Sequence, residues 1–196
     1  MLDIIRPREL DEADNTFKWR GEDYLIDLSY DNVLRWFKLL DDGHVDQTRK
    51  VTLAFEMFIG SDLNVPIKAQ AKEVNSIANL IAESPYGSSN DDNPIRVFDY
   101  QQDSEAIYAS FLMDYNIDLI EQKGKLSYFK FRALLSNLSD KTPIKRIMNI
   151  RSDNAANYHD NPKYQQALMQ QQAVFELKKT PEEREKELQA QMDKAF

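Results

Sequence analysis

Apolar positions change period several times along the chain, and each change marks an element. Phe17 and Trp19 alternate with polar neighbours, Arg20-Gly21-Glu22-Asp23 is a turn-forming run, and Tyr24, Ile26 and Leu28 alternate again. Period two on both sides of a turn predicts a β-hairpin over about residues 16–28. Two strands alone are marginal in water, so the hairpin must rest on a helical layer. After Ser29, a good N-cap, the period becomes helical. Val33, Leu34, Phe37 and Leu40 form one face of a helix over Tyr30 to Leu40, widened by Trp36 and Leu39.

Three more helices follow the same logic. Asp46 caps a helix carrying Val51, Ala54, Phe55 and Phe58, which Gly60 stops. Pro66 suits a first helical turn, and Ile67, Ala71, Val74, Ala78 and Ile81 then make a stripe running to about Glu83. The run SPYGSSNDDNP, Ser84 to Pro94, reads as an exposed loop between two sub-bundles, 29–83 and 97–151. Beyond it Asp103 caps a helix whose Ile107, Tyr108, Phe111, Leu112 and Tyr115 share one broad face.

Ser127 caps the next helix, with Tyr128, Phe131, Leu134, Leu135 and Leu138, and Thr142-Pro143 opens another to about Ile150. After Arg151 the composition turns to Asn, Gln, Lys and Glu. Residues 152–196 read as a helical or partly disordered extension to a mainly helical domain, 1–151. Its thin stripes, Tyr164-Leu168-Phe175 and Leu188-Met192-Phe196, bury little alone. They are the expected partner-binding or self-associating positions. The fold class is therefore mainly α: a helical bundle with a small N-terminal hairpin and a C-terminal helical extension.

Composition narrows the function. Among 196 residues, 33 acidic against 25 basic give a net charge of −8, which disfavours nucleic acid and anionic lipid as partners. No apolar run approaches the ~20 residues of a membrane span, and MLDIIRPRELDEADN lacks a signal peptide's apolar core. Cysteine is absent, which removes disulfides and thiolate chemistry and fits the cytosol. The five glycines form no phosphate-cradling loop or dinucleotide fingerprint. His44 and His159 stand far apart without a nucleophile elbow, and Asp41 to Asp46 lacks the calcium-loop order. Asp99 with Asp103 and Asp114 with Asp118, each four apart, are the carboxylate pairs left for acid–base or metal work, and helix-end roles account more simply for Asp99, Asp103 and Asp118. No cofactor is expected.

The stretches VFDYQQDSEAIYASFLMDYNIDLIE and LSYFKFRALLSNLSDKTPIKRIMNIR resemble the gene-product-fifteen family of tailed phages. The resemblance is sharpest at Phe98-Asp99, Asp103, Ile107-Tyr108-Ala109-Ser110-Phe111, Tyr115, Ile117-Asp118-Leu119, Lys130-Phe131-Arg132-Ala133-Leu134-Leu135 and Ile150-Arg151. WRGEDYLIDLSYDNVLRWFKLLDD is similar to that family's hairpin and first helix. One departure is the Tyr128-Phe129 pair in place of two tryptophans, which keeps aromatic bulk. The likeness stops at Arg151.

That resemblance implies a non-catalytic tail assembly chaperone of long-tailed phages. Such a protein keeps the tape measure protein soluble, helps recruit tail tube subunits, acts in the host cytoplasm and is absent from the mature virion. Homo-oligomerisation is compatible with it. The alternative within the same biology is a structural virion protein, a tail-completion or head-tail connector subunit. The alternative of another class is an enzyme built on Asp99, Asp103 and Asp118.

Overall fold

The computed structural model describes residues 15–83, 96–179 and Gln189. It is mainly helical with one antiparallel two-stranded hairpin. Strands β1 (Thr16–Trp19) and β2 (Glu22–Leu25) pair from Thr16↔Leu25 to Trp19↔Glu22. The turn is only Arg20-Gly21, with φ of 53° and 88°. Positive φ at both central residues matches the right-handed twist of the strands, so a two-residue turn replaces the expected four. Pairing ends at Leu25, and the buried Ile26 and Leu28 belong to the connection that follows.

The helices are α1 (Tyr30–Leu40), α2 (Gln47–Phe58), α3 (Ile67–Ala82), α4 (Ser104–Tyr115), α5 (Tyr128–Ser136), α6 (Pro143–Ser152) and α7 (Pro162–Val174), with a 3₁₀ turn at Ala155–Tyr158. Contacts divide the chain into two compact units: residues 1–88 with 122–133, and 89–121 with 134–196.

In the first unit several caps and buried faces differ from the sequence pattern. Asp46 caps α2 as expected, its carboxylate accepting from Arg49 N at 3.0 Å. Ser29 opens α1 without a side-chain cap bond and instead forms a backbone bridge with Ser127, which joins the start of α1 to the start of α5. Pro66 is the residue before α3 rather than its first helical residue, and the buried stripe of that helix is Val74, Ile77 and Ile81, with Ile67 exposed. Leu40 is exposed as well, because α1 turns Val33 and Trp36 inward together with Asn32.

Asn32 is polar and almost wholly buried, and the fold satisfies it. Its amide donates to Asp27 O at 2.9 Å and Met57 O at 2.8 Å, and its carbonyl accepts from Arg35. This ties the entry to α1 to the end of α2. Around it, Phe17 meets Phe55 edge to face, Trp36 meets Phe58, and Tyr30 stacks on Phe131 at 4.8 Å.

In the second unit α4 packs on α6 and α7 packs on α6. Thr142 precedes α6 with Pro143 at its first turn, as the sequence predicts, but its hydroxyl makes no cap bond. Ser110, on α4, does that work from another helix: its hydroxyl accepts from Ile144 N at 3.1 Å and donates to Ala106 O at 2.6 Å. Ser110 is fully buried, so Ser110→Ala leaves a buried amide without an acceptor. The expected loss is about 1–3 kcal/mol in urea unfolding, against a few tenths for an exposed serine.

Candidate functional site

The family-like residues converge most densely on Arg151, in the last turn of α6. Its guanidinium grips Asp103 with two bonds, Nη1 to Oδ2 at 2.6 Å and Nη2 to Oδ1 at 2.8 Å. Both side chains are less than a tenth exposed. A planar fork facing a carboxylate is the strongest charge-assisted geometry available to side chains. Two donations remain, Nη1 to Val97 O at 3.0 Å and Nε to Phe175 O at 2.6 Å. One side chain therefore fastens the segment before α4, the start of α4 and the end of α7.

Asp103 is thereby diverted from the capping role that its place before α4 predicts. Its side chain makes no cap bond to the helix and accepts instead from Arg151 and from Asp99 N at 2.9 Å. The Asp99 carboxylate orders the turn beyond it, accepting from Gln101 N, Gln102 N and Arg96. Asp118 closes the turn after α4 by accepting from Ile120 N, and from the Tyr108 hydroxyl at 3.2 Å. Burial, and then that bond, raise the Tyr108 phenol above its ordinary pKa. Asp114 holds Ser139 through both its backbone N and its hydroxyl. Each carboxylate of the two pairs thus orders backbone. Among the described residues, no group of three or more His, Asp or Glu is arranged to hold a metal ion.

Arg132 repeats the Arg151 theme in the first unit. It donates to Ile81 O and Glu83 O, both at 2.8 Å, at the end of α3, where carbonyls lack helical partners. Its guanidinium also lies over the Tyr128 and Phe129 rings, 5.7 Å from each centroid. The aromatic pair that departs from the tryptophan pattern supplies the π faces for this cation. Phe131 is fully buried and Leu135 is buried.

On α4, Ile107 and Phe111 are buried, while Tyr108 and Tyr115 are half-buried, the latter donating to Leu134 O at 3.0 Å. Leu112 departs from expectation: it is 43% exposed, beside Met113 at 57%. The helix is apolar nearly all round, so the spacing that marks one face could not say which apolar residues stay outside. Its end is sharp, with Asn116 in the left-handed region at φ 52°. Ile120, just beyond, is 63% exposed. Leu112 and Met113 are exposed and flank the half-buried Ala109 at helical neighbour spacing, an apolar edge of α4.

The extension's residues separate. Leu168 is buried, Phe175 is half-buried and Tyr164 is exposed, stacking edge-on against Tyr158 at 4.5 Å. The inward stripe of α7 is Gln165, Leu168 and Gln172, and the Gln172 amide donates to Ile150 O and Asp153 O at the end of α6. Leu188, Met192 and Phe196 lie outside the described residues. Gln172 escaped the sequence reading because a polar side chain bonding to a distant backbone leaves no periodic signal, and Ser110 stood there only as part of the family likeness, without its bond to α6.

No helix among the described residues is long and apolar enough to cross a membrane. Neither a curated protein nor a solved structure matches the chain. A family model described as Bacteriophage Gp15 protein matches residues 10–177. That span reaches past Arg151, where the sequence likeness stopped, and takes in α7 and Phe175, whose carbonyl Arg151 holds. The chain therefore belongs to the bacteriophage Gp15 protein family.

Proposed function

We propose that this phage protein is a tail assembly chaperone that binds the tape measure protein, keeps it soluble and helps recruit tail tube subunits. The observation that carries the reading is the exposed apolar edge of α4, Leu112 with Met113, in a protein of a phage family. A tape measure chain is a long helix with apolar stripes that aggregate when bare. An apolar helix face lying along such a stripe removes that surface from water. Each contact is small, and many copies along one long ligand make the coat effective.

The reading is non-catalytic. The carboxylates suited to acid–base chemistry serve the backbone, and the buried guanidinium of Arg151 makes four bonds to protein acceptors. Release then comes from tube subunits polymerising over the same stripe in the host cytoplasm, leaving the finished virion without the chaperone. Mass spectrometry of purified particles separates this role from that of a tail-completion or connector subunit. The expected result is tape measure and tube peptides with this chain depleted; a fixed number of copies per particle would establish the virion subunit instead.

A further inference from the structure

The end of α7 continues into a short segment, residues 175–179, that has no regular secondary structure. It is fastened by bonds that all end on its main chain. Arg151 donates to Phe175 O, the Gln102 amide donates to Glu176 O at 2.8 Å and accepts from Lys178 N at 3.0 Å, and Arg96 donates to Lys178 O. A carbonyl at one residue and an N–H two residues on lie on the same edge of an extended chain. Gln102 therefore imitates a neighbouring strand, reading backbone rather than side chains.

The rest of the arm, residues 162–174, is held mainly by the Gln172 amide on Ile150 O and Asp153 O and by Tyr164 against Tyr158. It has one buried apolar side chain, Leu168, while Met169 and Val174 are 57% and 77% exposed. Residues 153–161 connect it to α6, and nine residues reach about 30 Å when extended. The bonds at Gln102, Arg96 and Arg151 are the same whichever copy supplies the backbone.

We propose that this edge is a docking site for the arm of a second copy, filled in cis by residues 175–178 and exchanged reciprocally when copies are concentrated. Exchange replaces every bond of the docking edge with an identical one, and its cost is the loss of independent motion together with the opening of the connector, which gives up the Ala155–Tyr158 turn and the Tyr158–Asp153 bonds; high local concentration offsets that cost. The exchanged arms link successive copies through a site that each copy completes for the other. Exchange between copies needs no tail partner.

The absence of native cysteine permits a direct test. Chains carrying only Gln101→Cys, beside the docking amide but outside its bonds, and chains carrying only Glu176→Cys are mixed over a range of concentrations and treated with a short bis-maleimide cross-linker, and the linked peptides are identified by mass spectrometry. The expected result is a 101–176 link dominating over 101–101 and 176–176, with a yield that rises with concentration. A second variant carries both cysteines in one chain, cross-linked while dilute. Closure in cis confirms the docking geometry, and the locked chain should lose the dimer that the unaltered protein shows on sedimentation. A statistical mixture of links, or an unaltered protein that sediments as monomer at every concentration, overturns the proposal.

Discussion

Asp103→Ala is expected to destabilise the second unit by about 3–5 kcal/mol, because it strands the Arg151 guanidinium in a site from which water is excluded. Against a total stability of about 5–15 kcal/mol this is enough to open the unit a large part of the time. The loss comes from the unpaired charge more than from the pair itself. Asp103→Leu combined with Arg151→Met should therefore recover only part of it, since it removes the stranded charge but leaves Val97 O, Phe175 O and Asp99 N without these partners. Hydrogen exchange read by mass spectrometry locates the effect: faster exchange across 96–121 and 134–179, with protection over 30–82 retained. A loss below about 1 kcal/mol, the scale of an exposed pair, would mean that the bond is made in water.

Phe131→Ala is expected to cost a similar amount, about 3–5 kcal/mol, by a different mechanism and in the other unit. The ring is fully buried and stacks on Tyr30, so truncation loses apolar burial, leaves a cavity and ends an aromatic contact that contributes about 0.5–1.5 kcal/mol. Trp36 lies in the same unit and gives a fluorescence signal for urea unfolding. The midpoint should fall while the slope stays constant. Phe131→Leu keeps most of the volume and should cost less than half as much; equal losses for both would point to a specific role for the ring face.

The helices were legible because their burial follows from period. A helix over about Tyr30 to Leu40 is found at Tyr30–Leu40, and Asp46 caps where a short acceptor before an apolar run must. What the pattern could not supply was the choice among competing partners. Asp103 has the capping position and the capping chemistry, yet a guanidinium 48 residues away outbids the local amides, and no local rule anticipates it. Leu112 fails for the opposite reason, since in a helix apolar nearly all round the spacing contains little preference. The end of the α4 core face was thus readable and its exposed edge was not.

The aromatic stretch from Asp103 to Glu121 mostly serves packing, with Ile107 and Phe111 inside and Tyr108 and Tyr115 bridging to polar partners. The sequence likeness that ended at Arg151 stopped at a side chain whose partners lie on both sides of it. Val97 and Asp103 precede it, and Phe175 follows. A guanidinium with an acceptor on the arm makes residues up to 175 part of the same folded unit, in keeping with a family match that runs to residue 177.

The most direct test of the chaperone role is co-expression with the tape measure protein, measuring how much of it stays soluble and co-purifies. Three chains are compared: the unaltered protein, Leu112→Asp with Met113→Asp, and a chain ending at Lys179 that removes Leu188, Met192 and Phe196 while keeping the Phe175 carbonyl for Arg151. The account predicts soluble, co-purifying tape measure with the unaltered protein and its loss with the charged α4 face. A loss confined to the shortened chain would move binding to the terminal stripe. Tape measure that neither stays soluble nor co-purifies with the unaltered protein would contradict the chaperone role.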